Sequence, residues 1–276
     1  MRRIKSHTRD KLTYFEKYLN AYLSATKRLP TKIYIDAFSG TGKCMLCNHG
    51  SCKSRGGKKC LKCPDSQKRE VDGSALIALK AKKEFDGYML IESVARNCKS
   101  LEKFIKSEIS PDRVLKTEII NRDSNKFLQE SFTPDNAAYL IFFDPEGSEL
   151  SWDTIKVLKN IKKADILILY PYDMSLVRLT TNFKHKLDNF YGDSNWLEEF
   201  NKGVNPTDRK TRLRELYIAN LKKLGFEYVV SRQIKTRLRE GRPLYHLILA
   251  THSQVGDKII KDIFDKELDG QQKLDF

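Results

Sequence analysis

The 276-residue chain contains no apolar run of the roughly 18 or more residues that a bilayer-spanning helix needs, which excludes such a span. No apolar stretch follows the charged start at Arg2 and Arg3, so a secretory signal is not expected and a cytosolic, cytoplasmic protein is. No internal repeat recurs. Acid is in short supply, with 36 Asp+Glu against 51 Lys+Arg and a formal net charge of +15. That excess favours a polyanionic partner, most simply nucleic acid; a Lys-rich background composition is the plainer alternative. Cysteine is scarce and unevenly spread: five of the six fall between Cys44 and Cys63, with only Cys98 outside. Disulfides are not expected in a reduced compartment, and such clustering points to metal. The 40% hydrophobic share is enough for a sizeable core and excludes wholesale disorder. At about 100–200 residues per domain, the length suits one large domain or one domain with an insertion.

Helical spacing of Leu12, Phe15, Leu19, Tyr22 and Leu23 predicts a first helix over 8–25, with Lys11 among its polar positions. Residues 32–38 read as a buried strand running into a glycine turn. Residues 43–71 are Cys, Lys, Arg, Gly and Ser with almost no apolar side chains, an inserted segment in a chain otherwise read as one domain over 1–276. A helix over 75–85, capped by Asp72 or Ser74, restores regular structure. Strands are then expected at 88–92, 117–121, 138–143, 165–170, 227–230 and 244–250, with helices at 95–106, 125–130, 151–160 and 207–224 between them. Roughly seven strands alternating with helices predict an α/β fold with a mostly parallel, doubly wound sheet.

The glycine turn admits two phosphate or nucleoside readings. A P-loop needs Gly five places before Gly42 and Ser or Thr after Lys43. Ala37 and Cys44 stand there instead, so that reading fails. The sequence Asp36-Ala-Phe-Ser-Gly-Thr-Gly42 instead resembles the first motif of Rossmann-type methyltransferases, Asp-x-Phe-x-Gly-x-Gly. There Asp36, Phe38, Gly40 and Gly42 form the cofactor turn, because glycine lets backbone pass close to a ligand. Glu92, at the end of the next strand, can accept hydrogen bonds from ribose hydroxyls, and Asp123 is placed for the adenine amino group. Four strand-end acids in order (Asp36, Glu92, Asp123, Asp144) strengthen the reading, although each alone could be an ordinary turn or cap.

With Lys11, Tyr34 to Gly42, Gly73-Ser74-Ala75, Ile91-Glu92, Asp144-Pro145-x-Gly147, Trp152 and Trp196, the chain resembles the three-Cys-motif partner protein family over most of 8–250. The resemblance implies a Rossmann-like S-adenosylmethionine-dependent methyltransferase fold. It also implies a genomic partner, a radical-SAM-like protein, to whose cysteines the family name refers. Two departures stand out: the cysteine segment lengthens the link after the glycine turn, and Glu146 replaces the family's aromatic.

Asp144-Pro145 also resembles half of the Asp/Asn-Pro-Pro-aromatic motif of amino-methyltransferases. There the acid and a backbone carbonyl orient a target amine toward the methyl sulfonium, a demand for positioning more than for base strength. Asp144 and Pro145 are therefore the catalytic candidates, with a turn-initiating Asp-Pro as the alternative. The aromatics of Tyr170-Pro171-Tyr172 could stack on a flipped base, or simply close the sheet.

Cys44-x2-Cys47, twelve residues, then Cys60-x2-Cys63 is a two-knuckle spacing that predicts structural zinc on Cys44, Cys47, Cys60 and Cys63. His49 and Cys52 are spare ligands, which keeps an iron–sulfur cluster open. With so few apolar residues, metal is expected to supply most of the segment's folding energy. Lys53, Arg55, Lys58, Lys59 and Lys62 accompany the knuckles. A second basic stretch carries Arg232, Lys235, Arg237, Arg239 and Arg242. Both are candidate nucleic-acid contacts. Three functions compete on these residues: a nucleic-acid methyltransferase, a non-catalytic nucleic-acid-binding module on a degenerate methyltransferase fold, and a nuclease with Asp36, Glu92, Asp123 and Asp144 around Mg²⁺. The last is hard to build, since acids on adjacent strands are spread at ~4.8 Å intervals.

Overall fold

The computed structural model describes residues 2–4, 6–47, 68–145, 147–172, 184–234 and 245–269. Its elements are β1 (Arg2–Ile4), α1 (Ser6–Ala25), β2 (Lys32–Asp36), β3 (Lys43–Cys47), β4 (Lys68–Asp72), α2 (Ser74–Leu79) and β5 (Gly87–Ile91). These are followed by α3 (Ala95–Glu108), α4 (Pro111–Leu115), β6 (Thr117–Ile120), α5 (Ser124–Glu130), β7 (Ala138–Phe143), α6 (Trp152–Leu158) and β8 (Ala164–Tyr170). The chain continues through α7 (Lys184–Tyr191), α8 (Asn195–Lys202), α9 (Pro206–Leu224), β9 (Tyr228–Ile234), β10 (Tyr245–Thr251) and α10 (Gln254–Asp269).

Seven strands form the main sheet in the order β6-β5-β2-β7-β8-β10-β9. Pairing from β6 to β8 is parallel, and β10 runs antiparallel to both neighbours. This is the mostly parallel, doubly wound α/β sheet that the strand and helix pattern predicts. Every residue of β7 and β8 is buried, as expected of central parallel strands covered on both faces. One core packs α1, α2, α3 and α10 against the sheet through Phe15, Tyr34, Leu101, Phe142 and Ile260. The other packs α5 to α9 through Leu128, Trp152, Phe190, Trp196 and Tyr217.

The helix expected to reach Phe85 ends at Leu79. Phe85 instead buries its ring 5.6 Å from Tyr34 and 5.7 Å from Tyr88, which takes the chain off the helical path. Nor do Asp72 and Ser74 cap α2; Gly73 occupies the cap with no side-chain bond.

A second sheet, order β1-β3-β4, stands at the base of the insertion. β3 and β4 are antiparallel with Lys43 opposite Asp72 and Cys47 opposite Lys68, and β1 adds in parallel with Arg2 opposite Cys44. Backbone ladders thus organise both described ends of the segment, 43–47 and 68–72. Cys44 and Cys47 lie in an extended strand, so the bend of a knuckle is absent between them. Ion pairs fasten the stem to the core: Lys43 to Glu108 at 2.6 Å, and Lys80 to Asp72 and Glu108 at 2.7 Å each. Cys60, Cys63, His49, Cys52 and the basic residues Lys53, Arg55, Lys58, Lys59 and Lys62 lie outside the described residues.

Candidate functional site

The parallel strands bring their carboxyl ends to one edge, where open α/β sheets hold ligands. β2 delivers Asp36 and then the turn 37–42, which is stitched to both neighbouring strands. Ala37 N–H donates to the Phe142 carbonyl at 3.0 Å, and Ser39 N–H donates to that of Ile91 at 3.0 Å. The two glycines have distinct duties. Gly40 has φ +64, and a Cβ there would meet nothing within 4 Å, so its backbone is open to an occupant. Gly42 has φ +79, and a Cβ would come within 2.9 Å of Leu101 Cδ1, so this glycine serves close packing on α3. A Cβ at Gly73 would likewise stand 2.9 Å from the Gly42 carbonyl oxygen. Phe38 is half-buried, with its ring 6.3 Å from Phe143 in an edge contact.

Asp36 is fully buried. Its carboxylate accepts from Tyr34 Oη at 3.0 Å and from Phe38 N–H at 3.3 Å, and it is also hydrogen-bonded to Ser74. Burial pushes its pKa up to about 6, against the opposing pull of those three donors. Asp36 therefore holds the turn from beneath.

Glu92, just past β5, is 9% exposed and accepts from Val94 N–H through Oε1 at 2.7 Å. Its Oε2 has no protein partner among the described residues. The same loop leaves Val94 50% exposed, an apolar surface beside the acid. Asp123, past β6, caps α5 by accepting from Lys126 N–H at 3.0 Å through Oδ1. It is exposed, with Oδ2 left over.

Asp144 follows β7, and Pro145 behind it is buried. Lys11 Nζ bonds both Asp144 oxygens, with Oδ1 at 2.6 Å. Lys11 is only 7% exposed, and its ammonium also lies 5.4 Å from the centre of the Tyr245 ring. Lys11, a polar position of α1 by sequence, is thus turned to the buried side. It stands four residues before Phe15 and seven before Tyr18, on the buried stripe of the helix, and that spacing was the signal available. Tyr245, at the start of antiparallel β10, had no comparable signal.

The Tyr170 and Tyr172 rings are not available to stack on a base. Tyr170 is fully buried with its hydroxyl 2.8 Å from that of Tyr191, and Tyr172 is 7% exposed and bonds Thr211 at 2.9 Å. Their role is to close the sheet. Beside them His246 is buried against Arg214, and both burial and that cation lower its pKa to about 3, so the ring is neutral. Among the described residues no group of three or more His, Cys, Asp or Glu could hold a metal ion. The nuclease arrangement is therefore not assembled there: Asp36 is enclosed and Asp144 is paired with Lys11. Arg232, on edge strand β9, is drawn to Asp265 at 3.7 Å. Lys235, Arg237, Arg239 and Arg242 lie outside the described residues.

No protein-family model matches the chain, and no curated protein matches its sequence. Among solved structures, the fold is similar to protein LPL1258 from Legionella pneumophila, of the family described as DUF519. The likeness covers 95% of this chain and 92% of that one at 14% identity, with a TM-score of 0.55. A spermidine synthase in complex with a transition-state analogue is matched at 10% identity over 98% of this chain and 67% of its own, TM-score 0.48. Trm1 from Pyrococcus horikoshii, in complex with S-adenosyl-L-methionine, is matched at 11% identity over 91% and 58%, TM-score 0.45. At these identities the likeness is one of fold.

Proposed function

We propose that the chain is an S-adenosylmethionine-dependent methyltransferase acting on nucleic acid, with a base amine as the favoured acceptor. The observation that carries this reading is the carboxyl edge of the sheet. There an open Gly40 backbone, the unpartnered oxygens of Glu92 and Asp123, and the Asp144-Pro145 turn follow one another on adjacent strands. The residues fit the cofactor. Gly40 leaves room against the backbone, Glu92 Oε2 suits the ribose hydroxyls, Asp123 Oδ2 suits the adenine amino group, and exposed Val94 offers an apolar face to the ring. When bound, the cofactor supplies an electrophilic methyl group. Asp144 and the carbonyl of Pro145 orient the acceptor amine, and Asp36 keeps the glycine turn in its left-handed course.

Calorimetric titration with S-adenosylmethionine tests the pocket. Glu92→Ala should weaken binding about tenfold, since leaving polar groups unpaired in a partly buried site costs on the order of 1–3 kcal/mol. An unchanged dissociation constant would remove Glu92 from the site. Methyl transfer to total RNA and DNA then separates catalysis from the second reading, a non-catalytic binding module, which the Lys11–Asp144 pair and Glu146 in place of an aromatic favour.

The +15 charge supports a nucleic-acid partner held by the basic residues of the insertion and of the 232–242 stretch. Such binding should weaken steeply with salt. By resemblance to the three-Cys-motif partner family, a radical-SAM-like protein is the proposed protein partner. A cytoplasmic location accords with that assignment. Among the described residues, no helix is long and apolar enough to cross a membrane.

We also propose one zinc per chain on Cys44, Cys47, Cys60 and Cys63, supported by the paired spacing alone; β3 is extended between the first two cysteines, and metal binding requires it to bend there. Cys60→Ser should release the metal, read by elemental analysis, while the α/β core keeps its unfolding transition. Full retention would point to Cys52 or His49 instead, and iron with a visible absorbance band would replace zinc by a cluster.

A further inference from the structure

We propose that Lys11 is itself a methyl acceptor: its amine occupies the seat beside Asp144 that an acceptor amine would take, and it is methylated within the chain by the bound cofactor. The inference rests on the methyltransferase reading above. Three observations place the amine. Its Nζ is bonded to both Asp144 oxygens, at 2.6 Å for Oδ1, and lies 5.4 Å from the centre of the Tyr245 ring. A carboxylate and an aromatic face together make a seat for an alkyl ammonium. The helix carrying it is fixed to the reacting strand, for the Phe15 ring stacks on Phe142, two residues before Asp144, at 4.3 Å between centres. That same Phe142 is the register partner of Asp36, so Asp144 and the glycine turn are neighbours on adjacent strands. A long lysine side chain is thus held at 9% exposure at the edge where the methyl group is delivered. Fold stability does not call for it there, because a buried ion pair generally contributes little over an apolar substitute.

The chemistry balances with no further reactant. Lys11 gives up one ammonium proton to solvent, which reaches the pair past the Asp144 side chain, 21% exposed. The freed lone pair on Nζ forms a bond to the methyl carbon, and the carbon–sulfur bond breaks with its electron pair left on sulfur. The products are N-methyl-lysine, again cationic, and S-adenosylhomocysteine, with one proton released.

The test incubates the full chain with isotope-labelled S-adenosylmethionine and no nucleic acid, then maps peptides by mass and measures cofactor binding by calorimetry. The expected result is one labelled methyl group per chain on Lys11, matched by an equal amount of S-adenosylhomocysteine, at a rate independent of chain concentration. Lys11→Arg, which keeps a cation against Asp144, should bind the cofactor and take up no label. Asp144→Asn should cut incorporation at least tenfold. Cofactor binding with Lys11 left unmethylated overturns this inference alone. Absence of cofactor binding overturns both it and the methyltransferase reading. A rate that rises with chain concentration means transfer between molecules and overturns the intramolecular seat.

Discussion

Gly42→Ala is expected to lower the free energy of unfolding by about 2–4 kcal/mol, as the sum of a left-handed backbone penalty and overpacking. The first part follows from φ +79. The second follows from Leu101, whose Cδ1 would stand 2.9 Å from the new methyl group. Leu101 is a fully buried residue of α3, packed in the core. A loss of that size is a large share of the 5–15 kcal/mol typical of a folded domain. Gly40→Ala provides the contrast. With open space around it, the change should cost only the backbone share, about 1–2 kcal/mol, yet fill the surface proposed for the cofactor. Denaturant unfolding and calorimetric titration on both variants read the difference. Equal stability losses at the two positions would show that the division of labour within the turn is wrong.

A second large effect concerns pH. Burial raises the Asp36 carboxyl to about 6, whereas in the unfolded chain it returns to the ordinary carboxylate value near 4. Between those values the folded protein binds more protons than the unfolded one. The stability Asp36 contributes is therefore complete below the lower value and is lost as pH rises through the upper one. Two pK steps correspond to roughly 2–3 kcal/mol. Asp165, buried and bonded by Tyr18 at 2.7 Å, is raised by burial too and acts with the same sign. Exposed carboxyls such as Glu84 and Glu108, lowered by lysine and arginine neighbours, act with the opposite sign. The difference between the protein and Asp36→Asn isolates the residue: the variant should lose less stability between about pH 4 and pH 7. Parallel pH profiles would mean that Asp36 does not titrate in the fold.

Periodicity and burial explain which features could be read from the sequence. β7 is legible to the residue, because Ala138 to Phe143 is an unbroken apolar run flanked by polar turns, with Asp144 directly after it. The strand-end acids were legible for the same reason. Other features depend on contacts between distant parts of the chain. α10 carries Ile259, Ile260 and Ile263 at helical spacing, yet this short apolar face gains meaning only where it packs on the core beside α1. The inserted sheet is not legible because Arg2–Ile4, Lys43–Cys47 and Lys68–Asp72 are short, and β3 is ordered by partners about forty residues before it and twenty-five after it in the chain. Lys11 was legible as a position and not as a partner, since a lysine on an apolar stripe has no meaning until Asp144 is found opposite it, 133 residues away.

The placing of β10 between β8 and β9 has a consequence for how the chain is made. Every residue of β8 is buried, and among the described residues one of its two flanks is paired by residues 245–251. During synthesis, therefore, a seven-residue apolar strand waits with unpaired amides and carbonyls while some seventy-five further residues are added. At ribosomal speeds of about 5–20 residues per second, that wait lasts several seconds. An exposed edge of this kind is a template for pairing with other nascent chains. Truncation before residue 245 should accordingly shift the product toward aggregate, and slow codons between β8 and β10 should lower soluble yield without altering a single side chain.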